Sequence, residues 1–300
     1  MNIDDIKVLG SIEPSEEDDN VSHMNFLRNV RLNPNNFSYW FPKIRKVRKN
    51  GIIVPKSFMV DIPDDIYLCF FQEREFDRDK IFVWVKDFVQ PIIQKNFPNQ
   101  DVFLKNGCFS NKFEFDKSCH ILKNDGIKSV VDKIMNLQSA SLMHDTDGYL
   151  ELVLREWIEP EPDTKSIYDG MPFRAEMRLF YDFTVKKPLY YVNYWDWGYC
   201  HDAICDRWGD RSIDADVYEY QYSFINEEVS LYTEENWKTI CDALAGVDLA
   251  GKWSVDFILE KDRVILIDMA IASRSAYWDE ERAELCKNSE ERYRIRGLQK

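Results

Sequence analysis

The chain has 300 residues, a formal net charge of −14, 45% hydrophobic and 14% aromatic content. Nineteen Phe, 15 Tyr and 9 Trp exclude a disordered chain, and the acidity argues against broad contact with nucleic acid or anionic membrane, both of which want a basic face. No apolar run reaches membrane-spanning length, the first twenty residues are acidic rather than signal-like, and seven scattered Cys fit reduced thiols, so a cytoplasmic protein is expected.

Residues 1–22 read as an acidic tail. Phe37 to Lys56 (FSYWFPKIRKVRKNGIIVPK) is aromatic and then basic, either a patch for an acidic ligand or a solvated helix face. Ile52 to Val60 and Ile66 to Phe71 have strand composition. Asp79 to Asn96 has helical spacing, with Ile81, Val85, Phe88, Val89 and Ile92 on one side and Pro91 kinking or shortening it.

Asp101 to Phe115 (DVFLKNGCFSNKFEF) reads as strand, loop, strand, with Gly107 and the Asn residues at 106 and 111 marking the turn. Lys105 ends the first strand and Lys112 opens the second. Such a loop can cradle phosphate oxygens with backbone N–H groups while the ammoniums supply charge, although Lys beside a hairpin is common. A helix over 125–144, a strand over 149–158 (YLELVLREWI) and a breaker-rich loop over 159–172 follow. Phe173 to Phe183 alternates: Phe173, Ala175, Met177, Leu179 and Tyr181 on one face, Arg174, Glu176, Arg178 and Phe180 on the other. Leu189 to Tyr194 continues the sheet, residues 195–222 read as irregular, and Thr233 to Ala245 is a helix opened by a capping-box spacing. Cys200-His201 with Cys205 lacks a fourth metal ligand nearby, and buried thiols are the simpler reading.

Lys252 to Ser275 (KWSVDFILEKDRVILIDMAIASRS) carries the chemistry. Strands over 253–259 and 264–270, paired about Asp262, set Val255 across from Met269, Phe257 from Ile267 and Leu259 from Ile265 on one dry face. The opposite face sets Asp256 beside Asp268 and Ser254 across from Ala270. Adjacent carboxylates repel, so either a hard cation such as Mg²⁺ sits between them or both face solvent. A charged helix over 276–287 follows. Strands and helices mix without βα alternation, an α+β chain with largely antiparallel sheets.

The ordered motifs resemble the ATP-grasp enzymes. LVLREWI followed by EMRLFYDF is similar to segments of the eukaryotic cell-division-cycle branch, whose members help assemble a translation initiation factor, and Glu176-Met177-Arg178 also looks like the ribosomal-protein glutamate ligases and related phage and bacterial members. The resemblance implies two α+β subdomains enclosing a nucleotide, a small one over 101–155 and a large one over 156–300, preceded by an N-terminal α/β region over 23–100. It implies Lys105 and Lys112 at the phosphates, Glu156-Trp157-Ile158 as the hinge that meets adenine, Glu176 at the ribose, and Asp256 and Asp268 as Mg²⁺ ligands. Arg178 and Arg274 would act on the transferred phosphoryl group or an acidic substrate. Core packing for Trp157, a salt bridge with Arg174 or Arg178 for Glu176 and an exposed surface position for Arg274 are the alternatives. Ala270 stands where that branch has an Asn ligand, for which a water or Ser254 would substitute. The implied activity is ATP- and Mg²⁺-dependent joining of a carboxylate to an amine through an acylphosphate; the alternative is an ATP-binding assembly factor that holds a protein client.

Overall fold

The computed structural model describes residues 29, 32–50, 52–71, 75–144, 146, 150–195, 215–230, 234–260 and 263–286. The acidic tail, Thr233, the hairpin turn at Lys261 and Asp262, and Cys200, His201 and Cys205 lie outside them. In chain order come α1 (Phe37–Ile44), β1 (Ile52–Ile53), β2 (Ser57–Asp61), α2 (Asp64–Phe71), α3 (Glu75–Trp84), α4 (Gln90–Asn96), β3 (Val102–Asn106), α5 (Phe115–Ser118), β4 (His120–Ile121), α6 (Ile127–Met143) and β5 (Glu151–Glu156). Then follow β6 (Ser166–Ile167), β7 (Met171–Pro172), β8 (Glu176–Asp182), β9 (Lys187–Asn193), α7 (Ala215–Ser230), α8 (Glu234–Ala245), β10 (Lys252–Glu260), β11 (Arg263–Ile271) and α9 (Glu280–Cys286).

Two main sheets organise the chain. The larger has the order β1-β11-β10-β8-β9 and the smaller β2-β5-β3-β4. Every pairing within them is antiparallel except β1 with β11. The fold is therefore α+β with mostly antiparallel sheets, as the absence of βα alternation predicts. Residues 52–61 serve both sheets, since β1 pairs with β11 and β2 with β5.

The faces divide as alternation demands. Met177, Leu179, Tyr181, Val255, Phe257 and Leu259 lie in one core with Trp40, Trp237 and Leu244. Leu104, Leu152 and Leu154 pack with Ile81, Val85, Val130 and Ile134 in a second. Each such side chain contributes about 1.5–3 kcal/mol by leaving water. Among the described residues no helix is long and apolar enough to cross a membrane.

Several predicted elements differ. Ile66 to Phe71 is helical, because a short apolar run has no period of its own and Pro63 starts a helix: the Ile66 and Tyr67 N–H groups both donate to its carbonyl. Over 79–96 the helix widens into a π-turn at Val85–Val89 just before Pro91. The extra residue in that turn rotates Phe88 outward, to 61% exposure, while Val85 and Val89 stay buried. Lys112 opens no strand; it starts a 3₁₀ turn, Lys112–Glu114, that runs into α5. Within 195–222, residues from Ala215 onward are helical, the Tyr residues at 218, 220 and 222 having obscured the 3.6-residue period.

The β10–β11 hairpin has the expected register at its acidic end: Ser254 opposes Ala270, Val255 Met269 and Asp256 Asp268. Between Asp256 and Phe257 the register shifts, so that Phe257 opposes Leu266 and Leu259 opposes Val264, rather than Ile267 and Ile265. Ile267 is the extra residue of this bulge. It joins Ile158, Ile258 and Ile265 in a small apolar cluster beside the acids instead of packing behind them.

Candidate nucleotide site

Between the two sheets lies a cleft of about 530 Å³. Lys112, Glu156, Trp157, Ile158, Glu176, Arg178, Asp256, Asp268 and Arg274 line it, and Lys105 reaches it through its bond to Asp268. Residues spread over 170 positions of sequence thus meet at one place. The α1 segment closes one side: the Phe37 N–H donates to the Gly107 carbonyl, Ser38 bonds Glu151, and Asn35 Oδ1 accepts from the Ile271 N–H. This segment was predicted as a basic patch or solvated face. Its aromatic half, Phe37 and Trp40, is core, while Arg45 and Lys46 are solvated.

The acid pair does not face open solvent. Asp256 is only 5% exposed, and both its oxygens accept from Arg178, from Nε at 2.8 Å and Nη2 at 2.7 Å. Pairing β8 with β10 sets Arg178 directly across from Asp256. Burial opposes the charge on Arg178, but Asp256 outweighs it and holds the guanidinium protonated. Asp268 Oδ2 accepts from Lys105 Nζ at 2.6 Å, and Lys105 is 1% exposed. Burial would raise the Asp268 carboxyl, yet Lys105 and Arg155 bring it below the usual carboxylate range. Two buried cations resolve the repulsion that the sequence pattern creates.

Lys112 Nζ donates to the Tyr194 hydroxyl at 2.9 Å and lies 3.8 Å from Glu176. Burial works against its charge, but Tyr194, Glu176 and Asp256 raise its pKa above the ordinary lysine value. Glu176, 3% exposed, has its Oε2 without a hydrogen-bond partner. Burial raises its pKa, with Lys112 and Arg174 only partly compensating. A carboxyl whose folded pKa is raised opposes folding as pH climbs from its unfolded value through the folded one. Glu176→Gln is therefore expected to leave stability near pH 4 almost unchanged and to increase it at pH 8, read by urea unfolding at both values. A loss at pH 8 would show that the ionised form is favoured in the fold.

The loop between β3 and Lys112 is more committed than a phosphate cradle needs to be. Asn106 Oδ1 accepts the N–H groups of Cys108 and Phe109, and the Gly107 N–H donates to the Glu151 carbonyl. These amides face inward, so side chains rather than backbone supply the charge on this wall.

At the other end Trp157 stacks on His120, ring centroids 4.1 Å apart at 14°, while also lining the cleft. Ile158 packs on Ile258 and Ile267, and its carbonyl accepts from Arg174 Nη1. Glu156 bonds Lys56 through both its backbone N–H and its carboxylate. Arg274, exposed, stands on the cleft wall in the 3₁₀ turn Ala272–Arg274.

No family model matches the chain, and no curated protein matches it either. Among solved structures it is similar, at low identity, to the following. It is 17% identical to C-terminally truncated Cdc123 from Schizosaccharomyces pombe, covering 88% of this chain and 92% of that one at a TM-score of 0.49. A RimK domain ATP-grasp protein from Sphaerobacter thermophilus is 10% identical, with 77% of this chain and 57% of that one covered and a TM-score of 0.32. D-alanine–D-alanine ligase from Bacillus anthracis, complexed with ATP, is 10% identical, with 78% and 54% covered and a TM-score of 0.32.

The acid pair offers oxygen donors to one hard divalent ion only where Arg178 and Lys105 give way to it. Asp256 and Asp268 are oxygen donors side by side on the cleft wall, and the Asp268 side chain is 34% exposed. Among the described residues no His, Cys or third carboxylate adds to them. Ser254 does stand across from Ala270, but its hydroxyl is bonded to Ser275 at 2.6 Å and to the Ala270 carbonyl. Of the two substitutes named for the missing Asn oxygen, a water or Ser254, the Ser254 hydroxyl is already engaged.

Tyr194 and Arg155 were missed by the sequence reading. Tyr194 follows directly on β9, a strand of core aromatics, and gave no signal, yet its ring centre lies 4.1 Å from the Lys112 ammonium and 4.9 Å from the Arg178 guanidinium. Arg155 did give one: a charge inside the apolar run LVLREWI.

Proposed function

We propose that the cleft binds ATP with one Mg²⁺ and that the chain is a carboxylate–amine ligase working through an acylphosphate. The observation that carries this reading is the cleft's polarity. One end is apolar and aromatic, formed by Trp157, Ile158, Ile258 and Ile267, and the other gathers Lys105, Lys112 and Arg178 around two aspartates. An adenine ring suits the first end and a polyphosphate the second. Between them Glu176 Oε2, 3.8 Å from the Lys112 ammonium and without a hydrogen bond, is an acceptor for a ribose hydroxyl.

Lys105 and Lys112 would orient the phosphates, and Asp256 and Asp268 would hold the ion, whose contribution would be to neutralise phosphate charge. For this to happen Lys105 and Arg178 exchange carboxylate partners for phosphate oxygens, so the ion and the nucleotide bind together. Arg178 then faces the γ-phosphoryl group as it passes to the substrate carboxylate, and Arg274 at the rim meets the acidic substrate. Amine attack on the acylphosphate releases phosphate and forms the amide. Such chemistry needs positioning and charge neutralisation more than a nucleophilic side chain.

A second reading is an ATP-binding factor that holds a protein client and ligates nothing. Ala270 and the committed Ser254 favour it, because they leave one metal position where phosphoryl transfer often employs two.

The test has two stages. Mg-ATP at a hundred times its Kd is expected to stabilise the protein by about 2.7 kcal/mol, a rise in Tm of roughly 5 °C. No shift would remove the nucleotide reading. ADP and phosphate release that requires both a carboxylate and an amine supports the ligase; tight ATP binding without release from any such pool supports the client-holding role.

A further inference from the structure

Arg155 is 7% exposed and lines the cleft, and its Nε has no hydrogen-bond partner. The other buried cations of the site are matched by carboxylates, Lys105 by Asp268 and Arg178 by Asp256. Arg155 instead donates from Nη1 to the neutral Ile267 carbonyl and lies 4.2 Å from the centre of the Phe103 ring. Burying a guanidinium with an open donor is costly, and a core position would accommodate Leu or Met more readily. The cost is offset when a ligand brings an anionic acceptor.

The placement says which part of a ligand that is. Phe103 pairs with Arg155 and Lys105 with Val153, so Phe103, Lys105, Val153 and Arg155 share one face of the small sheet. The carbonyl that Arg155 holds belongs to the bulged residue just before Asp268. The guanidinium thus stands where the apolar end of the cleft gives way to the acid pair. A nucleotide lying along the cleft passes its phosphate chain through this junction.

We infer that Arg155 is a further nucleotide-binding residue, its guanidinium donating to a phosphate oxygen from the cleft wall. It rests on the ATP reading and adds a third buried cation, one fixed by the β11 bulge rather than by a carboxylate. Arg155 feels the nearby Asp268 charge but bonds no carboxylate directly, so it can meet a phosphate without giving up an ion pair.

Calorimetric titration of ADP and of adenosine into the wild type, Arg155→Lys and Arg155→Gln tests this. ADP affinity is expected to fall at least tenfold in Arg155→Gln and less in Arg155→Lys, with adenosine affinity within twofold of wild type in both. A merely structural hold on the bulge would weaken both ligands together, and that result overturns the inference, as does unchanged ADP affinity. If Arg155→Gln does not fold, Arg155→Lys carries the same comparison. A wild type that binds neither ligand sinks the ATP reading itself, whereas wild-type binding with indifferent variants sinks only the role of Arg155.

Discussion

Asp256→Asn is expected to lose about 3–5 kcal/mol of stability in urea unfolding, the largest effect of any single change in the cleft. Asn keeps the volume but removes the charge that both Arg178 nitrogens address at 2.7–2.8 Å. The guanidinium stays behind, 9% exposed, with Lys112 close enough to Tyr194 and Glu176 to add positive charge nearby. Asp268→Asn leaves Lys105 in a similar position, but its own side chain is one-third exposed, so water enters more easily and the loss is smaller. A second expectation separates the pair's two roles. With Asp256 neutral, the metal loses a ligand while ATP gains an unpaired Arg178, so metal-free ATP should rescue the variant's Tm at least as well as Mg-ATP does. A stability loss below about 1 kcal/mol would mean that Arg178 finds other partners and that the pair is incidental.

Much of this arrangement was legible, for one reason: sheet alternation turns sequence spacing into faces. Asp256 beside Asp268, Ser254 across from Ala270, and Glu176 and Arg178 on the face away from Met177 and Leu179 all follow from period two. What alternation cannot give is where it breaks. The bulge at Ile267 has no composition signal, and it converts an expected core residue into part of the cleft wall. Spacing also cannot show what stands opposite a face. The sequence left the acids to a bound cation or to solvent, because Lys105, 163 residues from Asp268 and on the other sheet, is invisible from the hairpin. Short apolar runs such as Ile66 to Phe71 carry no period, so Pro63 and the two aspartates after it decided for helix. Asn35 and Tyr194 reach the cleft from a turn and a strand end, where neither periodicity nor charge marks function.

Lys105→Met should produce the opposite signature to Asp256→Asn: little stability lost and most nucleotide affinity gone. Met approximates the stem of a lysine that is already 1% exposed, so packing is retained. The carboxylate left behind, Asp268, is partly hydrated and keeps Arg155 nearby, so the cost is about 1 kcal/mol at pH 7. Lys105 is what brings Asp268 below the ordinary carboxylate range against the effect of burial. In the wild type that interaction contributes stability above the unfolded carboxylate pKa, and the contribution is lost as pH falls through the folded one. The variant's stability should accordingly vary less with acid between pH 5 and pH 2 than the wild type's. ATP affinity, by contrast, should drop by about 1.5–3 kcal/mol, roughly 10- to 150-fold, because a charged donor in a dry cleft is removed. Calorimetric titration beside urea unfolding gives both quantities from one preparation. Unchanged ATP affinity would assign Lys105 to holding the two sheets together through Asp268, and the phosphates would have to be bound elsewhere.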